Sequence, residues 1–69
     1  MEMSQRQATE LMQDAQALRR AAVVMKRQGF DLTARGIVRV ADELTETYAE
    51  WAENRRQEAI ARIAGKGKV

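Results

Sequence analysis

The 69-residue chain contains no cysteine, no histidine and no proline. Without cysteine it forms neither a disulfide nor a thiolate zinc site. Without histidine or cysteine, the usual imidazole acid–base and the common nucleophile–base pairs are excluded. Aromatic residues are scarce: Phe30, Tyr48 and Trp51 are the only three. Long hydrophobic runs are missing as well. The longest, Ala21 to Met25, has five residues, against roughly 20 for a membrane-spanning helix. The start, Met-Glu-Met-Ser-Gln-Arg, lacks the basic head and apolar stretch of a secretory signal. The expectation is a cytoplasmic protein without membrane contact, cofactor, metal or small-molecule substrate.

What remains is helix-forming. Alanine, leucine, glutamate, glutamine, arginine and methionine dominate between the four glycines, Gly29, Gly36, Gly65 and Gly67. The pattern predicts one all-α domain over residues 1–64, with helices of about 5–28 and 32–64 and a turn at 29–31. Ser4 followed by Gln7 reads as a capping box. Gly29 suits a left-handed position just past the first helix, with Phe30 folding back on Met25. Asp31 reads as the N-cap of the second helix. So short a link predicts an antiparallel hairpin. Gly65 reads as the end of the second helix, leaving residues 65–69 as a flexible basic tail.

Ala8, Leu11, Ala15, Leu18, Ala22 and Met25 recur at alternating spacings of three and four. Ala34, Ile37, Ala41, Leu44, Tyr48 and Trp51 do the same in the second helix. This is a heptad seam with small residues at one position and large ones at the other. Small against large lets two helices approach closely while the large side chains fill layers.

Two features point beyond a lone hairpin. The second helix is the longer, so it should overhang the first by roughly 13 Å at 1.5 Å per residue. It also has a second apolar stripe of Val38, Ala41, Thr45, Ala49, Ala52, Ala59 and Ile63, while Ala17, Ala21 and Val24 lie off the seam of the first helix. A helix with two weakly apolar faces sits between neighbours. Ordering 69 residues costs on the order of 100 kcal/mol, and twelve of the apolar residues are small alanines. A homodimer forming a helical bundle is therefore expected, with Val38, Ala52, Ala59, Ile60 and Ile63 in its interface.

Charge comes in blocks. Arg19, Arg20, Lys26, Arg27, Arg35 and Arg39 crowd the loop end, with Asp31 the single acid among them. They are candidates for phosphate contact. Several have plainer roles: Lys26 and Arg27 suit the negative end of the helix dipole, Arg39 is spaced to pair with Glu43, and Arg35 to reach Asp31. No aromatics are interleaved for base stacking. Asp42, Glu43, Glu46, Glu50 and Glu53 then form an acidic stretch without a base. Its members either meet Arg6 or Arg19 on the first helix or a basic surface on another molecule.

Tyr48 and Trp51 lie on the seam beside its thin end, near Ala8 and Leu11. If incompletely covered there, they form a candidate partner-binding patch with Glu46, Glu50 and Arg55. Met1, Met3 and Met12 would supply an adaptable rim or fill gaps. Gly36, early in the second helix, implies either close packing or local fraying. Catalysis has little basis. A two-helix hairpin has no deep cleft, and Gly65-Lys66-Gly67-Lys68 lacks the spacing of a phosphate-binding loop.

The alternating seam resembles that of the Rop family, plasmid proteins that dimerise as four-helix bundles and bind paired RNA loops. Here the second helix is longer and has no histidine, and no position matches that family's RNA-contact residues. The resemblance therefore implies packing and, as an alternative function, a dimeric RNA- or DNA-binding regulator using Arg19, Arg20, Lys26, Arg27 and Arg35. The whole chain also looks like the small, two-helix, early-expressed anti-activator proteins of Mu-like Pseudomonas phages. That resemblance implies a homodimeric inhibitor of a host regulatory protein. The targets it implies are a LuxR-type quorum-sensing transcription activator and the pilus assembly ATPase.

Overall fold

The computed structural model describes residues 3–66. Two helices, α1 (Gln5–Arg27) and α2 (Asp31–Lys66), fold back on one another as an antiparallel hairpin. The rod they make is 62 Å long and 18 × 17 Å across.

Local chemistry sets the ends of α1. The Ser4 hydroxyl accepts from the Gln7 backbone N–H at 3.1 Å, and Gln7 Oε1 accepts from the Ser4 N–H at 2.8 Å. Two N–H groups with no helical partner are thereby satisfied, completing the capping box. At the other end Gly29 adopts φ +90°. Its N–H donates to the Lys26 carbonyl at 3.0 Å, and the Phe30 N–H donates to the Met25 carbonyl at 2.9 Å. This paired closure is a Schellman end, which needs the left-handed residue that glycine supplies without a Cβ clash.

The start of α2 differs from the sequence reading. The Phe30 carbonyl accepts the first helical bond, from Ala34 N–H at 2.9 Å. Asp31 is thus the first helical residue and not the cap. Its charge still sits in the first turn, where the dipole favours an anion. The far end runs past the expected stop. Gly65 lies inside the last turn, and α2 continues to Lys66. Of the anticipated basic tail, Gly67, Lys68 and Val69 lie outside the described residues, as does Met1.

The seam forms as its spacing requires. Ala8, Ala15, Ala22, Ala34 and Ala41 are buried. Leu11, Leu18, Met25, Ile37, Leu44, Tyr48 and Trp51 are half-buried. Among the described residues every buried side chain is an alanine. Alanines bring the helices together, and the larger residues flank that contact with part of their surface open. Two helices cannot enclose a large side chain on all sides, and this leaves much apolar area in water.

With 36 residues against 23, α2 is thirteen residues longer than α1. At 1.5 Å per residue that is about 20 Å of uncovered helix. Ile60 and Ile63 lie on it, both exposed.

Candidate interaction surfaces

The open end of the hairpin gathers the aromatic patch. Trp51 donates its indole N–H to the Met3 carbonyl at 2.7 Å, joining the entry of α1 to the middle of α2. Tyr48 packs one turn away, its ring centroid 5.8 Å from that of Trp51 and tilted by 46°. Arg55 lies over the indole face, its guanidinium carbon 5.6 Å from the ring centroid. A cation there is attracted by the ring quadrupole. Trp51 thus has one edge satisfied, one face held by a cation, and part of its surface open.

A shallow groove of about 200 Å³ runs past this cluster, lined by Met3, Thr47, Glu50, Trp51, Asn54 and Arg55 together with Glu58. Glu50, Trp51 and Arg55, grouped from sequence, do come together here. Asn54 and Glu58 belong to the same groove, and their spacing of three and seven residues from Trp51 was the signal for them. Glu46 does not line it. Five residues before Trp51, it points about 140° away around the helix. The Met3 carbonyl had no sequence signal, because its role depends on where the chain enters α1.

Glu46 belongs to the acidic stretch of Asp42, Glu43, Glu46, Glu50 and Glu53. Only two of its acids form ion pairs among the described residues. Asp42 pairs with Arg19 of α1 at 3.0 Å, and Glu53 pairs with Arg56 at 2.8 Å. Gln57 Nε2 also donates to Glu53 at 2.9 Å. The hydrogen bonds from Gln57 and Arg56 hold the Glu53 carboxyl below the ordinary glutamate range. Glu43, Glu46 and Glu50 have no basic neighbour within ion-pair distance among the described residues.

The loop-end arginines are divided between uses. Arg19 bridges the two helices, contacting Asp42 and donating to the Thr45 hydroxyl at 3.2 Å. It is occupied within the hairpin, as the partner on the first helix that the sequence offered for the acidic stretch. Arg19, Lys26 and Arg35 rim a second groove of about 500 Å³, with Ala22, Val23, Ala34 and Val38 along its floor and Asp31 at its edge. Arg20 and Arg27 do not line it. Seven residues apart, they share an outer stripe of α1. The permitted pairs Arg39–Glu43 and Arg35–Asp31 are not formed among the described residues, and Arg6 pairs instead with Glu10 at 3.4 Å.

The expected dimer residues fall at two places. Val38 lies in the loop-end groove. Half-buried Ala52 and exposed Ala59, Ile60 and Ile63 follow along α2 and out onto its overhang. Gly36 is not explained by crowding within the hairpin, since a Cβ built there meets nothing within 4 Å.

No helix among the described residues is long and apolar enough to cross a membrane. Those residues also contain no cluster of three or more acidic side chains arranged to hold a metal ion. Comparison of the chain with protein-family models, with curated proteins and with solved structures finds no match in any of the three.

Proposed function

We propose that this chain is a small homodimeric helical module that works by binding another protein, as an inhibitor. One observation carries the reading: a hairpin in which alanines are the only buried side chains among the described residues leaves its large apolar and aromatic residues partly open. Such a surface is stabilised by association. Trp51, with Tyr48 beside it and Arg55 over its face, has the composition of an interface hot spot. Inhibition by occupation needs a stable surface and no catalytic group. The phage anti-activator resemblance supplies the class of target, a host regulatory protein such as a LuxR-type activator.

Titration of a purified LuxR-type activator against the immobilised chain tests this. Binding should weaken by at least tenfold in Tyr48→Ala/Trp51→Ala, with helicity retained by circular dichroism. Unchanged binding by the folded variant contradicts the assigned patch.

The alternative is a dimeric nucleic-acid binder. It is supported by the basic rim of the loop-end groove, where Arg19, Lys26 and Arg35 converge. It predicts RNA or DNA retardation in a gel with steep salt dependence, lost in Lys26→Ala/Arg35→Ala. Absence of a shift at low salt excludes it.

A further inference from the structure

The tip of the hairpin is apolar, exposed and ringed by cations. Leu32, in the first turn of α2, is 81% exposed, and Phe30 in the turn is 52% exposed. Neither belongs to the alanine seam, and Leu32 adds little burial to the hairpin. Around them stand Arg20, Lys26 and Arg27 of α1 and Arg35 and Arg39 of α2, with Asp31 the single acid between residues 19 and 39. At 1.5 Å per residue all five lie within roughly 12 Å of the turn along the rod. None has an acid within ion-pair distance among the described residues, whereas Arg19 is taken by Asp42.

We infer that this tip seats on an anionic lipid bilayer surface, with Leu32 and Phe30 entering the headgroup layer and the five cations meeting lipid phosphates. No helix among the described residues is long and apolar enough to cross a membrane, and contact at the interface needs none. The expectation of no membrane contact rested on the missing span and signal, which do not bear on a rod held by one end. The backbone of the turn is already satisfied. The N–H groups of Gln28, Gly29 and Phe30 donate to carbonyls of α1, and the Phe30 carbonyl accepts from Ala34. Those groups therefore carry no unmet hydrogen bond into a layer poorer in water.

Charge and area choose this partner over others. A bilayer rich in anionic headgroups attracts each Lys or Arg near its surface, and apolar side chains add to that attraction by leaving water. A nucleic acid would use the cations and leave Leu32 in water. A protein docked on the tip alone meets an end face of 18 × 17 Å, about 300 Å², against roughly 800 Å² per partner in a stable complex. Trp51 lies nineteen residues beyond Leu32, about 28 Å along α2. The aromatic patch therefore stays in water and open, and the inference is independent of the protein-binding reading above.

Co-sedimentation of the full chain with phosphatidylcholine vesicles, with and without phosphatidylglycerol, tests this. Binding to the anionic vesicles should exceed binding to the neutral ones by at least about tenfold and fall as salt rises. Leu32→Ser, at a position the hairpin barely buries, should weaken it by about threefold or more. Arg27→Gln/Arg35→Gln should weaken it by at least about tenfold. Circular dichroism checks the helicity of each variant. Leu32→Trp in a Trp51→Phe background should shift its emission to the blue on anionic vesicles, while the emission of native Trp51 stays unchanged. No binding to anionic vesicles at low salt overturns the inference, as does a shift of native Trp51 emission without one at position 32. Binding that Leu32→Ser leaves unchanged overturns it also. The cations then serve polyanions in general, and competition by duplex DNA would assign them to a nucleic acid. Should Arg27→Gln/Arg35→Gln lose helicity, Leu32→Ser and the emission at position 32 decide.

Discussion

Trp51 and Met3, 48 residues apart in sequence, are joined by a 2.7 Å hydrogen bond from the indole N–H to the backbone carbonyl. This contact pins the entry of α1 against α2 where the alanine seam thins. It also orients the indole beneath Arg55. Trp51→Phe keeps an aromatic ring and removes the donor. The expected loss is about 1 kcal/mol of hairpin stability, read as a lower urea midpoint. No change in midpoint would mean the bond contributes nothing in solution.

Glycine at 29 and at 36 should respond in opposite directions. Gly29 has φ +90°, so Gly29→Ala forces a Cβ into a left-handed backbone and should cost about 1–2 kcal/mol. Gly36 lies in regular helix with nothing within 4 Å of a built Cβ. Gly36→Ala should therefore stabilise by about 0.5–1 kcal/mol. Thermal unfolding of the two variants separates them. A destabilised Gly36→Ala would reveal another molecule packed against that position.

The alanine seam has no room to spare. Ala15 is 1% exposed at the helix–helix contact. Ala15→Leu should push the helices apart and cost about 1–3 kcal/mol. Ala17→Leu, on an exposed position of the same helix, should change stability by less than about 0.5 kcal/mol. Equal effects would contradict the assignment of the seam.

Glu53 gives the overhang a pH response. Its folded carboxyl is held low by Gln57 and Arg56. A lowered folded pKa means the contribution is present above the unfolded carboxylate range. It is lost as pH falls through the lowered value. Acid titration followed by circular dichroism should therefore show α2 losing helicity at the acid end. Glu53→Gln should reduce that loss, and an identical titration in the variant would remove Glu53 from the explanation.

The parts legible in the sequence were those set by local spacing. The twelve seam positions are all buried or half-buried as their heptad pattern required. Ser4, Gln7 and Gly29 act as their residue types predict, because caps depend on a few neighbouring backbone groups. Asp31 was misplaced by one position for an equally local reason: the Schellman closure leaves the Phe30 carbonyl free to start the next helix. Gly65 looked like a stop, but a glycine ends a helix only where a left-handed turn follows. The contacts that span the hairpin were least legible. Trp51 with Met3, and the choice of Asp42 as the acid that Arg19 meets, depend on how the two helices rotate against each other. Spacing within one helix does not set that rotation. Glu46 was grouped with Trp51 by nearness in sequence, while helical geometry separates them.

The most direct test of the central claim is the concentration dependence of thermal unfolding. If a hairpin whose described residues bury only alanines is held by a second copy, as proposed, it must unfold at a midpoint that rises with protein concentration. Circular dichroism melts across a hundredfold range in micromolar protein should show that rise. A midpoint that stays constant over the range, with helicity intact at the lowest concentration, would contradict it.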